Sequence, residues 1–141
     1  MSLEECYRKR LLRKGRPDKL KAKKAIEIAE QKLNRATELF DRNFLEEAMV
    51  ASHTAMLQSA KALLFKDGVF ERSHWCVIEY LRENYVKKRL LEPSHVNWLD
   101  IYRQERHRIM YGLEALAVSN EDIKDALDKT RKFIDAVKKL V

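Results

Sequence analysis

Turn-forming residues are scarce in this chain: 3 Gly and 2 Pro serve 141 residues. That scarcity excludes a sandwich or barrel of many short strands and favours long helices. Cysteine is almost missing as well. Cys6 and Cys76 lie far apart and form no CxxC, which argues against a disulfide framework or a four-cysteine zinc site. Two inert thiols in a reduced protein are the expectation. No apolar run approaches the roughly 18 residues of a membrane span. The opening MSLEECYRKR has no apolar signal segment, so a cytoplasmic protein without membrane contact is expected. Glycines isolated at 15, 68 and 112 leave no GxGxxG or GxxxxGK[ST] phosphate loop. The histidines at 53, 74, 95 and 107 form no HExxH, and no serine sits in a GxSxG setting. Neither a metal nor a cofactor is expected.

What is present is a soluble, globular balance. Apolar residues make up 45% and charged residues 36%, enough apolar material for one core at a single domain's length. The net charge is +7, and it is unevenly placed. Residues 1–24 hold 10 basic side chains and 3 acids, while the other 117 residues sum to zero. The basic character therefore belongs to an N-terminal arm, residues 1–17, and to the start of the next segment. Such an arm suits contact with nucleic acid or another polyanion, or serves as a solubilising tail.

Apolar spacing predicts helices almost throughout. The arm from Leu3 to Lys14 reads as a short helix ending at Gly15-Arg16-Pro17. Ala22, Ala25, Ile26, Ala29, Leu33, Ala36, Leu39 and Phe40 mark one face of a long helix capped by Asp18. Asn43 with Glu46 reads as a capping box for a helix from Phe44 to about Lys66. Its stripe, Ala48, Met49, Ser52, Ala55, Met56, Ser59, Ala60 and Leu63, is rich in small residues that let a neighbour approach closely. Asp67-Gly68 stops it. Ser73 caps a shorter helix, Pro93 or Ser94 opens another, and Ser119 with Asp122 caps the last. The fold expected is all-α: an antiparallel up-and-down bundle of four to five helices over residues 18–141, with the arm outside it.

One side chain breaks the pattern. Leu99, Tyr102, Arg106, Ile109 and Leu113 share a stripe, so Arg106 occupies a core-facing slot. An unpaired buried charge costs several kcal/mol, on the order of 3–5. Arg106 must pair with an acid, line a groove, or sit at a subunit interface.

Four stretches carry a family resemblance. These are Ala48 to Leu64 with its Ala-Met and Ala-Leu-Leu elements, Ser73-His74 followed by Val77-Ile78, Arg106-His107-Arg108-Ile109-Met110-Tyr111-Gly112, and Ala126 to Phe133. In order and spacing, residues 18–141 resemble small stand-alone prokaryotic HEPN (higher eukaryotes and prokaryotes nucleotide-binding) domains. The resemblance implies a helical homodimer whose Arg motifs face a cleft between subunits. It also implies RNA or nucleotide as ligand and, in toxin–antitoxin pairs, a small nucleotidyltransferase partner. The family's ribonuclease motif is Arg, four to six residues, then His. Here Arg106 matches, but Tyr111 stands where the His belongs.

RNA cleavage without metal needs a base for the 2′-OH, an acid for the leaving oxygen and a cation for the phosphorane charge. A guanidinium suits the last role, since its fork binds phosphate oxygens bidentately. A tyrosine hydroxyl, with an ordinary pKa of about 10, is a poor base at neutral pH. An imidazole titrates in the useful range. Arg106 and Tyr111 lie five apart, about 140° round a helix, and share no face. Arg103, His107 and Tyr111 do share one. The candidate catalytic residues are thus Arg106, His107 and Tyr111, and the candidate binding residues Arg103, Arg106, Arg108 and His53. Three functions stay open: a nucleotide- or RNA-binding homodimer with weak or absent ribonuclease activity, an active metal-independent endoribonuclease, and a non-catalytic interaction module.

Overall fold

The computed structural model describes residues 1–112 and 117–141. Its elements are α1 (Leu3–Arg8), β1 (Leu12–Lys14), α2 (Lys19–Asp41), α3 (Leu45–Asp67), β2 (Val69–Glu71), α4 (His74–Leu81), a π-helical turn (Arg82–Val86), α5 (Pro93–Tyr111) and α6 (Asn120–Lys138). The fold is an all-α bundle with one small hairpin-like sheet. Helix α3 is central and packs against α2, α4, α5 and α6. That place follows from its composition. Ala48, Ala55, Ala60 and Ala62 are fully buried, so neighbouring helices come close on several sides. Helices α2 and α6 bury only the stripes that the spacing marks, including Leu33 and Ala29 on α2 and Ile123, Phe133 and Val137 on α6. Where α3 meets α6, Ser52 Oγ lies 2.8 Å from Thr130 Oγ1 and donates to the Ala126 carbonyl, so both buried hydroxyls are satisfied.

Several helix signals act as read. Asp18 accepts from the Lys21 N–H at 2.9 Å, and Ser73 from the Cys76 N–H at 3.4 Å. Ser119 and Asp122 form a reciprocal capping box. Gly68 ends α3 at φ +78°, a left-handed conformation in which a Cβ would press on the Gly15–Pro17 backbone. Pro93 opens α5 from a Glu92 cap position, and Ser94 lies inside the helix.

Three expectations are corrected. Asn43 is no N-cap: it adopts φ +66° after the end of α2, and α3 starts behind Phe44 without a side-chain cap bond. The arm is not one helix to Lys14. Helix α1 stops at Arg8, Arg10 turns the chain at φ +57°, and Leu12–Lys14 pairs antiparallel with Val69–Glu71. Leu12 is buried there, and the Arg72 N–H donates to the Leu11 carbonyl at 2.8 Å. The two cysteines are not separate thiols either. Cys6 of α1 and Cys76 of α4 form a disulfide with Cα atoms 5.9 Å apart. A separation of 70 residues in sequence says nothing of distance in space once the arm folds back over α4. The arm is thus an ordered part of the surface and not a solvated tail.

Leu113, the last residue of the α5 stripe, lies outside the described residues. The others on it behave as read: Leu99 and Tyr102 are buried, and Arg106 and Ile109 are half-buried. No described helix is long and apolar enough to cross a membrane.

Candidate nucleotide-binding cleft

Helices α3, α4 and α5 converge on a narrow pocket whose free space, about 20 Å³, is that of roughly one water. Its apolar walls are Leu57, Ile78 and Leu99, and its polar groups are His53, His74, Arg103 and Arg106. It opens into an outer bay walled by Arg72, Ser73, Trp75 and His107, with His74, Arg103 and Arg106 common to both. The periodicity of α5 explains the arrangement. Leu99, Arg103 and Arg106 fall on one face through steps of four and three, and that face crosses α3 where His53 and Leu57 stand one turn apart.

His53 is the most deeply placed polar group. It is 2% exposed, and its ring stacks on Tyr102 of α5 with centroids 4.5 Å apart and planes 15° apart. Neither ring nitrogen meets a hydrogen-bond partner among the described residues. Nε2 stands 3.6 Å from the Glu105 carboxylate, beyond hydrogen-bond reach. Burial, reinforced by the Arg106 charge, lowers the His53 pKa to about 3. The imidazole is therefore neutral at pH 7, and the Glu105 contact is no ion pair. A neutral imidazole offers one donor and one acceptor, and leaving such groups unmade costs about 1–3 kcal/mol each.

Arg106 repeats the theme with charge. Its Nε is buried and has no partner among the described residues. Arg103, one turn away, is held differently: Nε and one terminal nitrogen donate to Asp100 Oδ1 at 3.2 and 3.0 Å. Asp100 also lies 3.6 Å from Arg82, so it orients two guanidinium groups. Arg103 is a positioned cation and Arg106 an uncommitted one. His74 carries a lowered pKa, first through burial and then through Lys61, Arg106 and Arg103, against the opposing pull of Glu71.

Of the residues singled out from sequence, Arg103, Arg106 and His53 come together in the inner pocket, and His107 joins them at the bay. Tyr111 is 66% exposed and lines neither; its ring lies 5.0 Å from that of His107, on the side the four-residue spacing predicts. Arg108 points elsewhere. It lines a hollow with Glu105, Asp122 and Asp125, where carboxylates surround it. Sequence reasoning passed over Arg72, His74 and Trp75. His74 follows the cap residue Ser73, and the start of α4 aims its first turn into the cleft. Among the described residues, no cluster of three or more His, Cys, Asp or Glu is gathered as metal ligands would be.

Chemically, pocket and bay together present three guanidinium groups, a neutral buried imidazole, a half-buried and an exposed imidazole, and an indole around a small apolar floor. Such a set suits a phosphate with an attached flat ring. Residues 22–140 match the HEPN domain, and the chain belongs to that family. It is 26% identical over 140 residues to a protein of Methanocaldococcus jannaschii named "putative toxin", covering 93% of this chain and 95% of the relative.

Proposed function

We propose that this HEPN-domain protein binds RNA or a nucleotide in the Arg106 cleft, with weak or absent ribonuclease activity. It does so as a cytoplasmic homodimer beside a small nucleotidyltransferase, as one half of a toxin–antitoxin pair. The observation that carries the ligand is the pair of buried groups without partners among the described residues, Arg106 Nε and the His53 imidazole, in one pocket. Arg106 would bind phosphate oxygens, with Arg103 adding a second cation held in place by Asp100. His53 would hydrogen-bond a small polar group of the ligand that reaches into the narrow pocket between Leu57, Ile78 and Leu99. The toxin-like name of the relative and the family membership support the partner and the dimer.

The position of His107 supports a second reading, an active metal-independent endoribonuclease. It stands on the bay beside Arg103 and Arg106, with Tyr111 against its ring. In that chemistry His107 takes the 2′-OH proton, the 2′-oxygen attacks phosphorus, and the 5′-oxygen leaves with a proton. The product is a cyclic phosphate, and Arg106 holds the phosphorane charge. Tyr111, a poor base, serves there as hydrogen-bond donor or proton carrier to the leaving oxygen.

End-labelled RNA incubated with the protein in EDTA separates the two. Retention of RNA without cleavage, lost on Arg106→Ala, is the expected result. Cyclic-phosphate products that vanish in Arg106→Ala would establish the nuclease. Equal RNA retention by Arg106→Ala would remove the cleft from the site.

A further inference from the structure

The basic N-terminal segment is left over by the cleft, and the fold gives it a place. Helices α2 and α3 and strand β2 flank an open groove of about 400 Å³. Lys21, Lys24 and Lys61 stand along it, with Phe65, Phe70 and Ile28 among its apolar lining. The Lys21 ammonium lies 5.7 Å from the Phe65 ring centroid and 5.9 Å from that of Phe70. Phe70 is seated on Gly15, where any Cβ would collide with the ring. The β1–β2 pairing sets exposed Arg13 opposite Phe70 and Lys14 opposite Val69. Glu71, which lies 3.0 Å from Lys61, is the one carboxylate among the described lining residues. Chain neighbours link the groove to the cleft: Glu71 is followed by Arg72 of the bay, and Leu57 of the inner pocket by Gln58 of the groove.

We infer that this groove is a second binding surface for single-stranded RNA, which carries a strand across Lys21, Lys24 and the Phe65–Phe70 rings toward the Arg106 cleft. Charge complementarity names the occupant. The protein's whole excess of +7 resides in residues 1–24, and two of those cations, Lys21 and Lys24, line the groove. Aromatic rings flanked by lysines form a surface on which bases stack while phosphates meet cations, without sequence readout. An acidic polypeptide would use the cations but gain little from the rings.

The inference rests on RNA being the ligand of the cleft, and its test separates the two. Fluorescence anisotropy would compare labelled single-stranded RNA of 5 and 20 nucleotides in EDTA, across a range of KCl concentrations. The proteins would be the wild type, Lys21→Gln/Lys24→Gln and Lys21→Glu/Lys24→Glu. Both lysines are exposed, so the variants fold. The wild type should hold the longer RNA more tightly. The charge-reversed variant should lose about 10-fold or more for that RNA, and its salt slope should fall by about 1.4, two phosphate contacts at roughly 0.7 each. Binding of the short RNA should stay unchanged, and the neutral variant should fall between. Equal affinity and slope in all three proteins would overturn the groove while leaving the cleft. Competition by poly-aspartate as strong as by RNA would assign the surface to acidic polypeptides and overturn it too. A wild type that binds neither RNA would overturn both readings.

Discussion

The two ends of α3 treat buried polarity in opposite ways. At its C-terminal end, Asp67 Oδ2 accepts from Tyr80 at 2.8 Å and from Tyr85 at 2.6 Å, and Lys66 stands 3.7 Å from the other oxygen. Both phenol pKa values are pushed up, first by burial and then by the bonds to Asp67. Next to this cluster the arm is tied down by the Cys6–Cys76 bond, and Tyr7 of α1 feels the same carboxylate. Toward the N-terminal end, His53 and Arg106 meet, and among the described residues neither imidazole nitrogen nor Nε has a hydrogen-bond partner. One end spends its polar groups on the fold; the other keeps them for something outside the chain.

That contrast separates stability from binding, and substitutions should respect it. The largest effect is expected from Cys6→Ser. Opening a cross-link between residues 70 apart costs about 4 kcal/mol on the chain-entropy estimate. Denaturant unfolding of the oxidised wild type against the variant measures it, and a midpoint that does not move would break the claim that the bond secures the arm. Asp67→Ala should cost roughly 3 kcal/mol, since two tyrosine hydroxyls lose a charged acceptor. It should leave RNA affinity alone; a variant that binds RNA poorly while unfolding like the wild type would reverse the assignment of the two ends.

His53 sharpens the comparison through pH. Its folded pKa, about 3, lies below the unfolded value of about 6.5. The unfolded chain therefore takes up the proton first. The stability contribution is complete above pH 6.5 and drains away as pH falls toward 3, roughly 2–3 kcal/mol of it by pH 4.5. His53→Gln should flatten that part of the acid limb in a series of urea melts. An identical slope in both proteins would mean that His53 is not the group that titrates. Arg106→Ala should change stability least, by less than about 1 kcal/mol, because the guanidinium makes no bond that the fold depends on.

The bundle was legible in the sequence because stripes and caps are local. Ala22 to Phe40, Ser73 and the Ser119–Asp122 box each act within a few residues. The arm was not, because Leu12 pairs with a strand residue 59 positions away and Cys6 with a helix residue 70 away, and neither partner leaves a periodic mark. Asn43 misled because one residue type suits both an N-cap and a left-handed turn. In the cleft, Arg106 stood out as a charge on an apolar stripe. Its bay partners Arg72, His74 and Trp75 did not, since each is ordinary for its position and only the crossing of α4 and α5 gives it meaning. Arg108, from the same motif, shows the converse: nearness in sequence placed it on another face.

Equilibrium binding of labelled single-stranded RNA in EDTA, wild type against Arg106→Ala, is the most direct test of the cleft. A loss of about 10- to 100-fold with an unchanged unfolding curve is the expected result, in line with the roughly 1.5–3 kcal/mol of a charge-assisted contact. Undiminished affinity in the variant, or a loss that follows only from unfolding, would contradict a ligand site built on Arg106.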